Sequence, residues 1–440
     1  MLQPLDSQAA PNTAVTDGIA ALPTAAPVNQ TKLKICLLGY RSNPYSGGQG
    51  IYIRYLSKAL LQAGHQVDVI SGEPYPLLDP GVRLIKLPGL NLYEADNHVT
   101  ALRLRHLRSF TDFFEWFSML TGGFPEPYTF GRRLVKYFRQ HKPAYDIVHD
   151  NQSLCYGLLH LQNAGTALVA TIHHPITSDL AIALANTDDW KLRLLIKRWH
   201  GFLGMQKKVV ARLKHIVTVS EQSRQDIASA FNIDAAAIEV VHNGIDTEVF
   251  RPQPDTPRVP FRIMATASAD QPLKGLQYLL RAIALLAVDY PAIHLVVLGK
   301  INANGESQKL INNLAIGSRL EFVSGISTEA LVTLYAEASV VVVPSVYEGF
   351  GLPAGEAMAC GVAVVSTNGG ALPEVVGDDG ILVPVRNAQA IADAIKDLLD
   401  NPAKALELGL RGRQRILRLF SWTVAAASMT DTYHRIIRNP

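Results

Sequence analysis

Short apolar runs alternate with amphipathic stretches along most of the chain, and this alternation predicts parallel β-sheets covered by helices. The first run, LKICLLGY (33–40), is followed by the loop RSNPYSGGQG, by apolar residues at helical spacing over 51–64, and by a second run, HQVDVIS. Strand, glycine loop, helix and strand together predict one right-handed βαβ unit. Because continuous apolar runs are typical of strands buried on both faces, a doubly wound parallel sheet is expected. Its further strands are DIVH (146–149), ALVATIH (167–173), HIVTVS (215–220) and IEVVHN (238–243).

The alternation starts again after the proline-rich stretch RPQPDTPRVP (251–260), which predicts a domain boundary there. Strand-type runs and helical patterns, including a helix from Leu276 to Ala287, then lead to an amphipathic helix over 420–438. The six runs are FRIMATAS, HLVVLG, LEFVSG, VVVVPS, VAVVST and GILVPV. We therefore expect an α/β protein of two Rossmann-like domains, residues 32–250 and 251–419, with a ligand cleft between the carboxyl ends of their sheets.

Composition fits this picture and narrows the function classes. A chain of 440 residues with 48% hydrophobic and 18% charged residues is typical of a well-buried protein of two domains. A net charge of +3 does not point to nucleic acid, and no apolar run reaches the length of a membrane span. The widely spaced Cys36, Cys155 and Cys360 argue against a disulfide framework or zinc cluster and favour a cytoplasmic location. Residues 1–31, rich in Ala, Pro, Thr and Gln, predict a disordered tail without a signal peptide.

Candidate chemistry is concentrated in YEGFGLPAGEAMACG (347–361), where Glu348 and Glu356 lie eight residues apart and enclose three glycines and a proline. The segment follows a predicted strand, and Pro353 suits the first position of a helix. The free amides at such a helix start form an anion site, and carboxylates accept hydrogen bonds from sugar hydroxyls. This favours binding of a phosphorylated sugar over a glycosidase pair, whose carboxyls face each other across one bond. The amides belong to Phe350, Gly351 and Leu352.

The longer stretch VPSVYEGFGLPAGEAMACGVAVVSTNGGALPEVV closely resembles the E-x7-E signature of the retaining family-4 glycosyltransferases of the GT-B fold. VSEQSRQDI, VHNGIDTEVF and ELGLRGRQRI are similar to the same family, and the resemblance extends over nearly the whole chain from residue 33. It implies transfer of a hexosyl group, with retention, from a nucleotide-diphosphate sugar (UDP favoured, GDP as the alternative) to an acceptor hydroxyl. No metal or other cofactor is implied, and the chain contains no DxD carboxylate pair. The last helix (420–440) would cross back to the first domain.

The resemblance also implies roles for single residues. Glu348 would bind donor-sugar hydroxyls near the anomeric centre, with the amides of 350–352 on the sugar or diphosphate. Glu356 would accept from the ribose hydroxyls. Lys274 would neutralise the diphosphate and stabilise the leaving group. His173 would lie beside the reacting sugar.

The loop PYSGGQG (44–50) resembles the glycine pair of the family, so Gly48 would let the backbone approach the diphosphate, with Gln49 on the acceptor side. VHDNQS (148–153) ends another predicted strand, and its Asn151 is a candidate substrate contact. One position departs from the family. An arginine usually stands five or six residues before the lysine, where this chain has Ala269 and Ser268.

Either another base, such as Arg262 or Lys300, replaces that arginine, or the phosphate is held more weakly. Two other functions fit the two-domain layout: that of a non-catalytic sugar-nucleotide binding protein and that of a sugar-nucleotide 2-epimerase. The epimerase shares the two-domain layout but not the 347–361 signature.

Two basic, aromatic-containing segments belong to the predicted acceptor side. Residues 190–214 hold eight Lys or Arg and no acid, and residues 101–142 hold eight basic and three acidic residues. Basic amphipathic stretches with Trp and Phe can lie on an anionic membrane, which suggests a peripheral protein on the cytoplasmic leaflet with a lipid acceptor. Solvated helix faces, with a soluble acceptor or a cell-surface glycan, are the alternative.

Overall fold

The computed structural model describes residues 31–44, 48–94, 106–107, 109–177, 180, 183–184, 187–267 and 270–439. Leu33–Pro440 groups into one compact unit. The predicted tail, apart from Thr31, lies outside the described residues, as do Ser268 and Ala269.

The first half of the chain forms a seven-stranded sheet in which every neighbouring pair is parallel. Its spatial order is β3-β2-β1-β4-β5-β6-β7. Successive strands are added on one side of β1 up to β3 and on its other side from β4 onward, so the switch point of the strand order lies between β1 and β4. The seven strands are β1 (Lys34–Gly39), β2 (Gln66–Ser71), β3 (Arg83–Lys86), β4 (Ile147–Asn151), β5 (Leu168–Ile172), β6 (Ile216–Thr218) and β7 (Ile238–Val240). β1, β4 and β5 are almost wholly buried, as their continuous apolar sequences predict.

The second half has the same arrangement, with six parallel strands in the order β10-β9-β8-β11-β12-β13. The switch point of this strand order lies between β8 and β11. The strands are β8 (Arg262–Thr266), β9 (His294–Leu298), β10 (Leu320–Val323), β11 (Val340–Val343), β12 (Val364–Thr367) and β13 (Ile381–Val383). Each sheet has its own buried apolar clusters, which confirms the predicted α/β fold with two Rossmann-like sheets.

Helices cover both sheets. Those of the first half are α1 (Gly48–Gln62), α2 (Phe110–Leu120), α3 (Glu126–His141), α4 (Tyr156–Asn163), α5 (Trp190–Trp199), α6 (Leu203–Val210) and α7 (Glu221–Phe231). Those of the second half are α8 (Leu276–Leu286), α9 (Glu306–Leu314), α10 (Thr328–Glu337), α11 (Leu352–Ala359), α12 (Leu372–Val376), α13 (Ala388–Asp400), α14 (Pro402–Leu419) and α15 (Trp422–Arg438).

The last helix, α15, returns to the first sheet as expected. Ala426, Met429, Tyr433 and Ile436 are buried in the apolar cluster that also contains the core residues of β1 and α1. The Tyr433 hydroxyl lies 2.6 Å from Nδ1 of His149 on β4, so a buried polar contact fixes the helix on the sheet as well.

Helix α1 begins earlier than its apolar pattern indicates. It starts at Gly48 rather than residue 51, so GQG is the first turn of the helix and not part of the loop. A Cβ on Gly50 would stand 2.1 Å from the carbonyl oxygen of Asn43. This glycine therefore serves a close approach between the helix and the loop that precedes it.

Candidate active site

A cleft of about 650 Å³ lies at the carboxyl ends of the strands, at the switch points of the strand order in both sheets. Ligands of doubly wound sheets bind at this place, and the volume is within the range of small-molecule sites. Most of the predicted site residues line it: Gly48, Gln49, His173, Lys274, Glu348, Phe350, Gly351, Leu352 and Glu356. Residues that are up to 308 positions apart in sequence, from Gly48 to Glu356, thus meet in one cleft.

The loop that carries Glu348 connects β11 to α11 and is supported from behind by a second glycine turn. The amide of Ala371 donates to the carbonyl of Glu348 at 2.9 Å. Gly370 has a φ of +63°, and a Cβ there would lie 2.2 Å from the same carbonyl oxygen. Only glycine fits this contact without displacing the backbone of Glu348.

Helix α11 differs in detail from the expectation. It begins at Leu352, so Pro353 occupies its second position rather than its first, and Glu356 starts the second turn. The first amides of a helix have no partner within the helix, and residues 350–352, whose amides are predicted to bind an anion, line the cleft at this helix start.

Glu348 is held by two donors from its own domain. Lys274, in a short 3-10 helix over Pro272–Lys274 that precedes α8, donates from Nζ to Oε1 of Glu348 at 2.7 Å. The Ser345 hydroxyl donates to the same oxygen at 2.8 Å. The cation and the carboxylate therefore lie together in the cleft that the amino end of α11 also lines.

Glu356 projects into the cleft from α11 and is hydrogen-bonded at one oxygen. The hydroxyl of Tyr335, which is fully buried, donates to Oε2 at 3.2 Å. Burial raises the pKa of the Glu356 carboxyl to about 7, while the Tyr335 hydrogen bond acts in the opposite direction.

His173 follows β5 and is oriented by Asn151 at the end of β4. The Nε2 atom of His173 lies 2.7 Å from Oδ1 of Asn151, while Nδ2 of Asn151 donates to the carbonyl of Gln49 at 3.0 Å. Asn151 is only 2% exposed and is not among the cleft-lining residues. The structure therefore places it behind His173 and Gln49, hydrogen-bonded to both, and its contact with the substrate stays a prediction.

The protonation of His173 follows from these contacts. Burial lowers the pKa of His173 to about 3, and the neighbouring His174 and His149 act in the same direction, so the imidazole is neutral at physiological pH. Since Asn151 uses its amide nitrogen on Gln49, its oxygen faces His173, and the imidazole proton resides on Nε2. Nδ1 is then a hydrogen-bond acceptor.

Aromatic residues from α1 and α15 complete the cleft. Tyr52 meets His173 edge to face, with ring centroids 4.6 Å apart. Tyr55 stacks on Trp422, the first residue of α15, at 5.7 Å. Tyr52, Tyr55 and Trp422 all line the cleft, so the returning helix contributes to the site itself. The sequence did not predict these three aromatic residues in the cleft, because the apolar pattern of a helix does not show which of its residues face a cleft.

The two suggested substitutes for the family arginine lie at opposite ends of the second sheet. Arg262 begins β8 and forms an ion pair with Glu337, whereas Thr266 at the other end of the strand lines the cleft. Four residues of strand separate them by roughly 13 Å, so Arg262 does not reach the site. Lys300 follows β9 at the correct edge and lines a neighbouring cavity of about 350 Å³ that includes Gly325.

Contacts across the cleft were also missed. Ser220 and Ser223, at the start of α7, donate to the carbonyl of Gly349 at 2.8 and 3.1 Å. Glu374 on α12 accepts hydrogen bonds from the amides of Glu221 and Gln222. These residues lie in VSEQSRQDI and ALPEVV, which the sequence marks only as family-like segments.

Comparison with known proteins agrees with this geometry. Two protein-family sequence models match the chain. The family described as Glycosyltransferase Family 4 matches residues 46–249, and the family described as Glycosyl transferases group 1 matches residues 253–415. The MMP alpha-(1->4)-mannosyltransferase of Mycolicibacterium hassiacum is 42% identical over 409 residues, which are 92% of this chain and 98% of that protein. The chain belongs to glycosyltransferase family 4.

Two further relatives of this family-4 glycosyltransferase support the assignment. The D-inositol 3-phosphate glycosyltransferase of Mycolicibacterium smegmatis is 32% identical, over 67% of this chain and 68% of that one. The solved structure of sucrose-phosphate synthase from Thermosynechococcus elongatus superposes with a TM-score of 0.68 at 25% identity, covering 92% of this chain and all of that one. The predicted family and its GT-B fold are thereby confirmed.

Proposed function

We propose that this glycosyltransferase transfers a mannosyl group from a nucleotide-diphosphate mannose to a saccharide hydroxyl, forming an α-(1→4) bond with retention of configuration. The observation that carries the proposal is the Lys274–Glu348 pair beside the amino end of α11, with Glu356 farther along the same helix. The mannosyl group and the linkage come from the relative that is 42% identical over nearly its whole length. Of the predicted donors, a UDP-sugar stays the sequence-based expectation and a GDP-sugar its alternative.

Different residues of the cleft are suited to different parts of the donor. Lys274 and the amides of 350–352 are suited to the diphosphate, Glu348 to the sugar hydroxyls, and Glu356 to the ribose hydroxyls. The cavity of Lys300 and Gly325, at the same sheet edge, has room for the nucleobase. Both glutamates and both lysines belong to the second half of the chain, so the donor is bound mainly there.

The reaction needs little acid–base chemistry from side chains. The bond between the anomeric carbon and the diphosphate oxygen breaks, and the acceptor hydroxyl attacks the same face of the sugar. The acceptor proton passes to the departing phosphate oxygen, so charge and atoms balance without a protein base. Lys274 and the helix amides stabilise the negative charge that develops on the diphosphate. His173 is assigned to the reacting sugar and Gln49 to the acceptor side of the cleft that both line.

A donor and acceptor panel tests this proposal. UDP- and GDP-linked mannose, glucose and N-acetylglucosamine are each incubated with α-(1→4)-linked mannosides, with inositol phosphate as a second acceptor class. Released nucleotide gives the rate, and the C1–H1 coupling constant of the product gives the anomeric configuration. An α-mannoside product supports the proposal, and a β-mannoside or a product without mannose contradicts it.

The same panel separates the two alternatives. A non-catalytic binding protein would bind nucleotide and release none from any donor. A 2-epimerase would act on UDP-N-acetylglucosamine in the absence of acceptor. The Glu348→Ala variant should lose transfer, and retained transfer would remove Glu348 from the mechanism.

We also propose peripheral binding to an anionic lipid surface, through the exposed faces of α2 and α5. Phe110, Trp190 and Leu194 are 63%, 69% and 62% exposed, and no residue of α5 is buried. Arg198 on α5 donates to Ser118 of α2 at 3.3 Å, so the two helices form one surface. The basic residues of α5, which are Lys191, Arg193, Lys197 and Arg198, give it the charge that anionic headgroups attract.

The acids of α2 oppose this charge only weakly, because Glu115 is buried and Arg133 pairs with both Asp112 and Glu115, at 2.6 and 2.5 Å, which leaves one net negative charge. Within the part of the chain that the structure describes, none of the helices has the length and apolarity that crossing a bilayer requires. Co-sedimentation with phosphatidylglycerol vesicles at low salt, but not with phosphatidylcholine vesicles, is the expected result. Binding that the double variant Trp190→Ser, Leu194→Ser leaves unchanged would contradict this surface.

A further inference from the structure

The start of helix α7, in the first half of the chain, is completed by a carboxylate from the second half. The amides of Glu221 and Gln222 donate to Oε2 and Oε1 of Glu374 at 2.8 and 2.9 Å. The next amide, that of Ser223, donates to the hydroxyl of the helix cap Ser220 at 3.0 Å. Without Glu374, two amides at the positive end of the helix would lack an acceptor from the protein.

The same helix start holds the backbone next to Glu348. The Ser220 hydroxyl donates to the carbonyl of Gly349 at 2.8 Å. Oγ of Ser223 lies 3.1 Å from the carbonyl of Gly349 and 3.1 Å from that of His173. A serine hydroxyl has one proton, so it is shared between the two carbonyls. One side chain thereby joins the loops that carry Glu348 and His173, which come from different halves of the chain.

A third contact reinforces this junction from the other side of the loop. The hydroxyl of Tyr347, the residue before Glu348, donates to Oδ2 of Asp226 on α7 at 2.5 Å. Asp226 also accepts at Oδ1 from the side chain of Gln222, at 2.9 Å. The Glu348 loop is therefore held to α7 through both of its neighbouring residues, Tyr347 and Gly349.

From these contacts we propose that Ser223 and Glu374 are positioning residues that couple closure of the cleft to the alignment of Glu348 with His173. The inference rests on the proposed function and adds to it the residues that make the closed cleft competent. Neither side chain touches the reacting atoms. The contacts of Glu374 with α7, and that of Ser223 with Gly349, exist only in the arrangement in which both halves meet, and interactions present in one of two states shift the balance between them.

The expected signature is a loss of turnover without a loss of nucleotide binding. Since Lys274 and Glu356 belong to the second half, the Kd for the donor nucleotide should stay within about twofold in Ser223→Ala and Glu374→Gln. Loss of a helix-end acceptor in Glu374→Gln, or of the donated hydrogen bond in Ser223→Ala, is worth roughly a factor of 5 to 10 in an equilibrium, so kcat should fall about that much in each. Ser223→Thr keeps a hydroxyl and should restore most of kcat.

Small-angle scattering with saturating nucleotide tests closure directly and does not depend on activity. Glu374→Lys places a cation against the positive end of α7, so this variant should have a larger radius of gyration than the wild type. Asp234→Asn is the matched control, because Asp234 accepts from the amide of Ala236 at 2.9 Å within the first half alone. It should leave kcat and the radius of gyration unchanged.

The proposal is overturned if Ser223→Ala and Glu374→Gln keep kcat within about twofold of wild type. It is also overturned if nucleotide affinity and melting temperature fall together with kcat, since the residues would then be structural. A wild-type protein that transfers no sugar would remove the proposed function, whereas the scattering and affinity measurements would still decide whether the contact controls closure.

Discussion

Lys274 donates from Nζ to Oε1 of Glu348 at 2.7 Å, across a gap of 74 residues in sequence. The ammonium group is partly exposed, with its side chain 32% accessible, whereas the Glu348 side chain is 12% accessible. The pair is therefore only partly screened by solvent, and it holds a cation and an acceptor in orientation before the donor arrives.

The first prediction concerns this cation. In Lys274→Met, the developing charge on the diphosphate loses a charge-assisted contact worth about 1.5–3 kcal/mol, so kcat should fall roughly 10- to 150-fold. Steady-state nucleotide release measures the effect. The matched control is Lys309→Met, which breaks a surface pair with Glu306 of the same 2.7 Å length and should not change kcat. Turnover within threefold of wild type in Lys274→Met would show that another group neutralises the leaving group.

The second prediction compares the two bases suggested in place of the family arginine. Lys300→Met should weaken binding of the donor nucleotide by roughly 10-fold, because Lys300 lies at the sheet edge where the nucleotide is expected. Arg262→Met should leave that affinity unchanged and lower the melting temperature, since it leaves Glu337 without its partner. Isothermal titration with UDP and GDP measures the affinities. The opposite pattern would place the nucleotide elsewhere in the second sheet.

The third prediction concerns the charge of His173. Its pKa of about 3 lies below the ordinary value of 6.5, so the folded protein binds fewer protons than the unfolded chain between these pH values. Stability should therefore rise with pH through this window, and no His173 titration should be visible between pH 5 and 8. Nitrogen-15 spectra of histidine-labelled protein measure both the titration and the tautomer.

A variant with a carboxylate in place of the Asn151 amide tests the same prediction for the charge of His173. Asn151→Asp puts a negative charge 2.7 Å from Nε2, which favours the imidazolium and should raise the pKa of His173. Asn163→Asp, at the exposed end of α4, is the control and should leave the His173 signals in place. A wild-type His173 that titrates near pH 6.5 would contradict the burial argument.

Local patterns predicted most of the fold and pointed to residues of the second half that line the cleft, because the relevant information lies in short segments. The strands follow from continuous apolar runs, and YEGFGLPAGE contains both glutamates and the helix start between them. The role of Asn151 was not predictable, since it depends on the register of β4 beside β5, which brings Asn151 opposite Thr171. The contact of Glu374 with α7 joins residues 153 and 152 positions apart, and no local pattern records it.

The last prediction concerns Glu356, whose side chain combines a cost in stability with a role in binding. Its pKa of about 7 lies above the ordinary value of 4.5, so the folded protein binds more protons than the unfolded chain in this window. The free energy of unfolding should therefore fall as pH rises from 4.5 to 7, and the penalty is complete above that range. Glu356→Gln removes the ionisation, so at pH 8 its melting temperature should exceed that of wild type by roughly 2 °C, with a smaller difference at pH 5.

The same Glu356→Gln variant should bind the donor nucleotide about 10-fold more weakly at pH 8, because a neutral amide is a poorer acceptor for ribose hydroxyls than a carboxylate. Differential scanning calorimetry at pH 5 and pH 8, with nucleotide titrations at the same pH values, separates the two effects. Glu321→Gln, at an exposed position of the edge strand β10, should change neither. A Glu356→Gln protein that is less stable than wild type at both pH values would mean that the Tyr335 hydrogen bond outweighs desolvation of the carboxylate. Higher stability together with weaker binding would instead indicate that the buried charge is kept for the ligand, at the expense of the unliganded fold.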